Sequence, residues 1–177
     1  LLRSFHRKKL KGSQGYDYTP NGTWFFTADC EGHLFLWDHE LEHLQASLPL
    51  FNDEQLVECP YELSFSPDSQ HVFFGSRGFI HRCRVDMNRF ASLSFAHVGK
   101  KRFSENLGPF EGLALSPLGN VIAGSNTDIY RVDIYTVKTL FLVALLPLPS
   151  DELPQNLVFS RDGRMLACAG SKGTVYI

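Results

Sequence analysis

The sequence lacks any closely spaced pair of cysteines. Its four cysteines stand singly at positions 30, 59, 83 and 168, and no Cys-x-x-Cys spacing occurs. Disulfide frameworks and zinc knuckles need paired cysteines, so the pattern predicts reduced thiols. We therefore expect an intracellular protein, either cytoplasmic or nuclear.

Long apolar runs and charge of one sign are also scarce. The net charge is −2, which argues against a generic polyanion binder. The longest apolar run, Leu140 to Pro149, is far shorter than the roughly 20 residues that span a bilayer, and we interpret it as a buried fourth strand with its exit. No signal peptide is visible at the start, and because the chain begins Leu-Leu we expect it to be part of a longer protein.

What the sequence does have is a meander of aromatic strands between residues 16 and 38. Three short runs rich in aromatic and β-branched residues are separated by Pro-Asn-Gly and Cys-Glu-Gly corners. Proline presets φ, and asparagine and glycine tolerate positive φ, so these corners favour tight turns between antiparallel strands.

The same strand-to-turn junction occurs four times. Its copies are Tyr-Thr-Pro-Asn-Gly at 18–22, Phe-Ser-Pro-Asp-Ser at 65–69, Leu-Ser-Pro-Leu-Gly at 115–119 and Phe-Ser-Arg-Asp-Gly at 159–163. The third residues, at 20, 67, 117 and 161, are 47, 50 and 44 residues apart. A period of this length is typical of four-stranded propeller blades. Second strands are predicted at Trp24–Ala28, His71–Gly75, Val121–Gly124 and Met165–Ala169, and third strands at Leu34–Trp37, Ile80–Val85, Ile129–Val132 and Thr174–Ile177.

These motifs resemble the WD-repeat β-propellers. The resemblance covers nearly the whole chain and includes one true Trp-Asp pair at 37–38, with Val-Asp pairs at 85–86 and 132–133 expected where the other Trp-Asp pairs would fall. The Gly-His dipeptide that usually opens a repeat of the family is missing from all four repeats. We expect the family's buried turn aspartate to be replaced by Glu31 in the first repeat and by Asn126 or Lys172 later. The resemblance thus implies an incomplete hydrogen-bond network and blades that are held mainly by apolar packing.

The repeats predict an all-β fold of about four propeller blades. We expect one propeller unit or partial propeller over residues 1–177, with an outer strand at 1–5 and repeats at about 16–50, 61–96, 110–146 and 155–177. The segment 1–5 either completes the last blade or belongs to a blade upstream. We favour part of a larger propeller, and in that case the terminal blades would expose apolar faces and could self-associate.

Connectors between outer and inner strands should emerge at one face of a propeller. They alternate in charge: the candidate partner-binding residues are Arg7, Lys8, Lys9 and Lys11, then Asp53, Glu54 and Glu58, then Lys100, Lys101 and Arg102, then Asp151 and Glu152. An alternating rim suits an irregular protein partner, such as another subunit of a multi-subunit complex, better than a uniform phosphate backbone.

The resemblance implies a non-catalytic protein-interaction scaffold. The sequence predicts no enzyme activity, no catalytic or cofactor-binding residue, no cofactor and no metal site. One alternative is a subunit of an RNA-associated assembly that uses the basic loops 7–11 and 100–102, with Phe103 available for base stacking. A weaker one is a zinc hydrolase, because residues 39–43 match His-Glu-x-x-His. On a helix His39 and His43 would bind zinc with Glu40 as general base, but the match follows Trp-Asp, where a turn is expected.

Overall fold

A computed structural model describes residues 15–38, 40, 43–49, 51–52, 55–56, 61–76, 79–85, 95–102 and 112–177. In these ranges the chain is nearly all β, with one short 3-10 turn at Thr127–Ile129. No helix in the described ranges has the length and apolar character needed to cross a membrane.

The strands form successive antiparallel sheets, or blades, whose strands run in chain order. Blade 1 contains β1 (Gly15–Tyr18), β2 (Trp24–Ala28), β3 (His33–Asp38) and β4 (Leu44–Pro49), and a small hairpin follows, β5 (Phe51–Asn52) with β6 (Gln55–Leu56). Blade 2 contains β7 (Tyr61–Phe65), β8 (His71–Ser76), β9 (Phe79–Val85) and β10 (Phe95–Arg102). Blade 3 contains β11 (Leu113–Leu115), β12 (Val121–Asn126), β13 (Arg131–Thr136) and β14 (Leu142–Pro147). Blade 4 contains β15 (Pro154–Phe159), β16 (Leu166–Gly170) and β17 (Val175–Tyr176). We call the strands of a blade a to d, and the predicted propeller fold is confirmed.

The repeated junction fixes where each strand b begins. In blade 2, Ser66 Oγ donates to Asp68 Oδ1 at 2.5 Å and accepts from the His71 amide at 2.9 Å. Blade 4 repeats this arrangement with Ser160 and Asp162, and blade 1 with a threonine and an asparagine. Such side-chain turns compete well with other local structures. The predicted second strands therefore begin within one residue of the observed ones.

Adjacent blades pack face to face through apolar clusters. The cluster between blades 1 and 2 joins Phe26 and Leu36 to Phe65 and Phe74. Phe73, on the other side of the same strand as Phe74, packs instead towards blade 3. This alternation follows from the two-residue period of a strand, which lets one blade contribute to two cores. Blades 3 and 4 share a smaller cluster around Val132 and Cys168.

The counterparts of the Trp-Asp pair are not those that the sequence predicts. Trp37 pairs with Phe25, the second residue of strand b. The same register position is taken by Cys83 in blade 2 and by Tyr135 in blade 3. The prediction that the Val-Asp pairs at 85–86 and 132–133 occupy the Trp-Asp position is therefore wrong. The turns that lead into strand c differ in length and shift its register.

Blade 1 keeps part of the family's polar network. Trp37 is 1% exposed, and its Nε1–H donates to Thr27 Oγ1 at 3.0 Å. In blade 3 the buried Asp133 accepts from Arg131 Nε at 2.5 Å and from the Tyr135 hydroxyl at 3.3 Å. Burial and the Asp133 charge raise the pKa of Tyr135.

Three further expectations about strands are wrong. Strand c of blade 3 is Arg131–Thr136 and not 129–132, because residues 127–129 form the 3-10 turn. The apolar run after Leu140 forms the outer strand β14, but its side chains are mostly exposed, since an outermost strand has a neighbour on one edge only. The outer strand of blade 2 runs to Arg102 instead of ending near residue 96.

The first and last blades carry exposed apolar side chains on the sides away from the cores. Tyr16 and Tyr18 of blade 1 are 71% and 45% exposed. On blade 4, Val158, Val175 and Ile177 are likewise exposed. These faces have the apolar character of the surfaces that neighbouring blades bury elsewhere in the molecule.

Candidate functional site

The antiparallel order of the strands divides the loops between two ends of the molecule. The b–c turns and the connectors from strand d to the next strand a lie at one end, which we call the b–c end. The a–b and c–d turns lie at the other, the a–b end. Loops on a rigid scaffold are where binding residues concentrate, so each end is a candidate surface.

At the b–c end, a buried carboxylate shapes the turn of blade 1. Asp29 is 1% exposed, and its Oδ1 accepts from the amides of Glu31 at 3.0 Å and of His33 at 2.9 Å. The expectation that Glu31 fills this buried position is wrong, because Glu31 is exposed at the tip. Asp29 satisfies the turn's amides and leaves the neighbouring charged side chains on the surface.

In blade 4 an equivalent carboxylate comes from a different part of the chain. Gly170 occupies the position of Asp29, and Glu152, from the preceding connector, lies over it. Glu152 is 5% exposed, accepts from the Lys172 amide at 3.4 Å through Oε1, and accepts from the Tyr176 hydroxyl at 2.5 Å through Oε2. The Tyr176 hydrogen bond, the largest cause, holds the pKa of Glu152 below its usual range.

Glu152 can take the place of the turn aspartate only because residue 170 is a glycine. A Cβ built there would lie 2.8 Å from Glu152 Cγ, closer than real Cβ atoms approach other groups. Lys172, which we expected to replace the buried aspartate in this repeat, instead lies at the exposed tip of the turn. Asn126 does occupy the corresponding buried position in blade 3.

Asp151 and Lys172 form an ion pair across the b–c end. The Lys172 ammonium donates to Asp151 Oδ2, and both side chains are more than half exposed. The hydrogen bond and the positive charge of Lys172 lower the pKa of Asp151. An exposed pair of this kind adds little stability, but it fixes charges of both signs on neighbouring loops.

Only part of the predicted rim falls on described residues. Those outside the described ranges are Arg7, Lys8, Lys9, Lys11, Asp53, Glu54 and Glu58. Lys100, Lys101 and Arg102 lie on the outer strand β10, so their assignment to a loop is wrong. Asp151 is exposed at the predicted end, whereas Glu152 is buried and serves the turn of its own blade.

Three side chains of the blade 1 turn could in principle hold a cation. The ligand atoms of Asp29, Glu31 and His33 all lie within 4.8 Å of one another. The sequence signal for this group is the alternating spacing Asp-x-Glu-x-His at 29–33. Asp29 Oδ1 already accepts two backbone hydrogen bonds, so the structure explains this carboxylate as the cap of the turn.

The described residues on either side of the His-Glu-x-x-His match lie on strands. Asp38 ends strand β3, and Leu44, directly after His43, begins strand β4. These two strands pair with each other in antiparallel orientation. His43 Nδ1 lies 3.0 Å from Asp38 Oδ2, as expected for a turn. Zinc binding through His39 and His43 requires a helix, whereas the described residues that follow His43 form a strand.

Burial makes the thiol of Cys83 unreactive. Cys83 is 2% exposed on strand β9, and desolvation raises the pKa of its thiol to about 12. The neighbouring arginines therefore do not produce a thiolate at neutral pH. Cys83 is a core residue of the blade 1–2 cluster.

Comparison with known proteins agrees with this architecture. The sequence model of the family "WD domain, G-beta repeat" matches residues 11–38. One segment of the chain thus matches a WD repeat, and the described strands form blades of a β-propeller. No curated protein matches its sequence.

Among solved structures, the chain resembles the β-propeller domain of Cps50 (Swd1) from Myceliophteria thermophila. The TM-score is 0.72 at 16% identity, over 91% of this chain and 51% of that domain. The chain thus spans about half of the length of that propeller. The similarity at this identity concerns the fold. Repeat and fold together support a protein-interaction scaffold in general terms, since fold alone does not identify a partner.

Proposed function

We propose that the chain is a non-catalytic scaffold whose b–c end binds a protein partner. The observation that carries this proposal is the construction of the b–c turns of blades 1 and 4. In each, a buried carboxylate holds the backbone of the turn, while charged side chains project from its tip. A surface whose loops are already ordered loses little conformational entropy on binding.

The charges at this end favour an irregular protein surface as the ligand. Glu31 and Asp151 supply negative charge and Lys172 supplies positive charge, all on exposed side chains. Mixed charge gives specificity and steers association with a partner of complementary pattern. A nucleic-acid backbone would meet repulsion at the acidic positions.

One of the two basic loops on which the alternative of an RNA-associated subunit depended is not a loop. Residues 100–102 lie on a strand and not in a basic loop, and residues 7–11 and Phe103 are outside the described ranges. No described feature of the molecule favours it.

Charge reversal at the ion pair tests the proposal. Asp151→Lys and Lys172→Glu each place like charges together, whereas the double variant restores an internal pair with the opposite pattern. Partners should be identified by affinity capture and their dissociation constants then measured with purified components. Because rim charges act mainly on association, each single variant and the double variant should bind about tenfold more weakly at low salt.

Arg161→Glu is the matched control, because Arg161 is an exposed cation at the a–b end. It should bind partners as the wild type does, and all four variants should keep the wild-type circular dichroism spectrum. A partner that binds the double variant with unchanged affinity, and Arg161→Glu with reduced affinity, would overturn the assignment of the b–c end.

A further inference from the structure

A second candidate surface lies at the a–b end, between blades 2 and 3. There Arg82 extends from strand β9 towards blade 3, and its Nη1 donates to the carbonyls of Val137 at 2.8 Å and of Lys138 at 2.6 Å. These bonds tie strand c of one blade to the c–d turn of the next. They use only part of the guanidinium, which has five N–H donors.

One of the remaining donors of Arg82 is unsatisfied. Its Nε is buried and has no hydrogen-bond partner. In the part of the chain that the structure describes, no carboxylate forms an ion pair with this arginine. A partly buried cation without a counterion is costly, and an anion placed against it would be stabilised more than in water.

Arg82 lines an open cleft of about 360 Å³. The cleft also contains Lys138, whose exposed ammonium adds a second positive charge, and Asp68, which adds one negative charge. Asp68 Oδ1 is already engaged by Ser66 Oγ at 2.5 Å and by the Gln70 amide at 3.0 Å. The cations therefore outnumber the carboxylates at this place.

The histidine in the cleft does not change this balance. Burial, the largest cause, lowers the pKa of His71, and the charges of Arg82 and Arg84 lower it further, against an opposing effect of Asp68. At neutral pH the imidazole is therefore mostly neutral. It lines the cleft as a polar group that can donate or accept a hydrogen bond.

One wall of the cleft is apolar because of a departure from the repeat. The a–b turns of the other blades carry Asn21, Asp68 and Asp162 at the position where blade 3 has Leu118. Leu118 is 64% exposed and lines the cleft together with Pro67 and Val137. The change removes a negative charge and supplies a surface for an apolar side chain.

We propose that this cleft binds a carboxylate side chain of a partner peptide, with an adjacent apolar residue packed against Leu118 and Pro67. The carboxylate would accept from the guanidinium of Arg82 and from the ammonium of Lys138. Hydrogen bonds between charged groups of this kind are about twice as strong as neutral ones. The cleft lies at the end opposite the ion pair of Asp151, so binding at the cleft and binding at the b–c end are tested independently.

The probes are two capped dipeptides, N-acetyl-Glu-Leu-amide and N-acetyl-Gln-Leu-amide, and inorganic phosphate. Each is titrated into the ¹⁵N-labelled 177-residue chain while the side-chain Nε–H signal of Arg82 and the backbone amides of the 137–138 turn are followed by NMR. We expect the Glu probe to shift the Arg82 signal and to bind about tenfold more tightly than the Gln probe, which is the value of one charge-assisted hydrogen bond. Phosphate should bind more weakly than the Glu probe, because it cannot use the apolar wall.

Two variants separate binding from folding, since Arg82→Gln could disturb the turn that Arg82 holds. Lys138→Glu and Leu118→Asp change exposed side chains, so both should fold and should weaken the Glu probe about tenfold or more. Arg161→Glu, on the a–b turn of blade 4, should leave the affinity unchanged. Equal binding of the Glu and Gln probes, no response of Arg82, or tighter binding of phosphate than of the Glu probe would each overturn the proposal.

Discussion

Replacing Gly112 by alanine should open the contact between blades 3 and 4. Gly112 lies beside strand a of blade 4, and its Cβ would come within 3.0 Å of the Gln155 carbonyl oxygen and 3.1 Å from the carbonyl carbon. The obstructing atoms belong to the backbone and cannot rotate away. Overpacking of this kind costs about 3 kcal/mol, which is about a hundredfold in the ratio of folded to unfolded protein.

Gly15→Ala provides a matched control at the equivalent position of blade 1. Gly15 pairs with the last residue of strand b, Ala28, and the Gly112 carbonyl accepts from Ser125, the corresponding residue of blade 3. At Gly15, however, the nearest atoms are 3.2 Å away and include a leucine side-chain carbon. A shift of a few tenths of an ångström suffices, and alanine restricts the unfolded chain, so the net change should stay within about 1 kcal/mol.

The assay is urea unfolding followed by circular dichroism, with both variants and the wild type measured side by side. We expect a clearly lower midpoint for Gly112→Ala and nearly the wild-type midpoint for Gly15→Ala. Equal midpoints for the two variants would refute the reasoning, because the close approach of blade 4 to Gly112 would then not exist in solution.

Three further predictions concern buried polar groups. Trp37→Phe removes the donor to Thr27 Oγ1 and should lower the free energy of unfolding by about 1–3 kcal/mol. The double variant with Thr27→Val should lose less stability than the sum of the two single variants. Strictly additive shifts of the urea midpoint would contradict the hydrogen bond. Asp17→Ala removes the Oδ2 that accepts from the Phe65 amide of blade 2 at 3.0 Å and should cost about 1–2 kcal/mol. Asp17→Asn keeps one oxygen for that amide and removes a charge whose burial raises the pKa of the carboxyl, but it loses the second oxygen, which accepts from the exposed Tyr18 amide. Asp17→Asn should therefore cost less than Asp17→Ala, and equal losses in both variants would be inconsistent with this account. Folding lowers the pKa of Glu152, so its ionised form stabilises the protein above the ordinary pKa of 4.5, and this stability is lost as the pH falls through the pKa of the folded protein. The difference in urea midpoint between the wild type and Glu152→Gln should therefore shrink towards about pH 3. A difference that stays constant with pH would argue against an ionised carboxylate.

The periodic parts of the fold were predictable because their signals are local. In blades 1, 2 and 4 a serine or threonine oxygen at the start of the a–b turn accepts from an amide within one residue of the start of strand b, and this pattern is readable from the sequence alone. The predicted strand Trp24–Ala28 matches the observed β2 residue for residue. The alternation of apolar residues then predicts the two faces of each blade.

The register of strand c was not predictable, because it depends on the length of the preceding turn. Ser76 pairs with Phe79 in blade 2, so only two residues lie between them, whereas four lie between Asn126 and Arg131 in blade 3. A Val-Asp pair therefore does not show by itself where the Trp-Asp position falls. The length of an outer strand such as β10 depends similarly on its pairing with β9.

The candidate site was predictable only in outline. The b–c end could be expected from the order of the strands, and Asp151 does lie there. The role of Glu152 depends on Gly170, a residue distant in sequence, because the carboxylate fills the space that the missing side chain leaves. Contacts of this kind have no local pattern, and neither does the cleft beside Arg82, which forms between residues of two blades.

The central claim, that a protein partner binds the b–c end, is tested most directly by site-specific photo-crosslinking. A photoreactive amino acid is incorporated at Glu31 or Ser171, on the exposed b–c turns of blades 1 and 4, or at Asn21, on an exposed a–b turn. The account predicts that a captured partner is crosslinked from Glu31 and from Ser171 and is not crosslinked from Asn21. Crosslinking of the partner from Asn21, with none from Glu31 or Ser171, would contradict it.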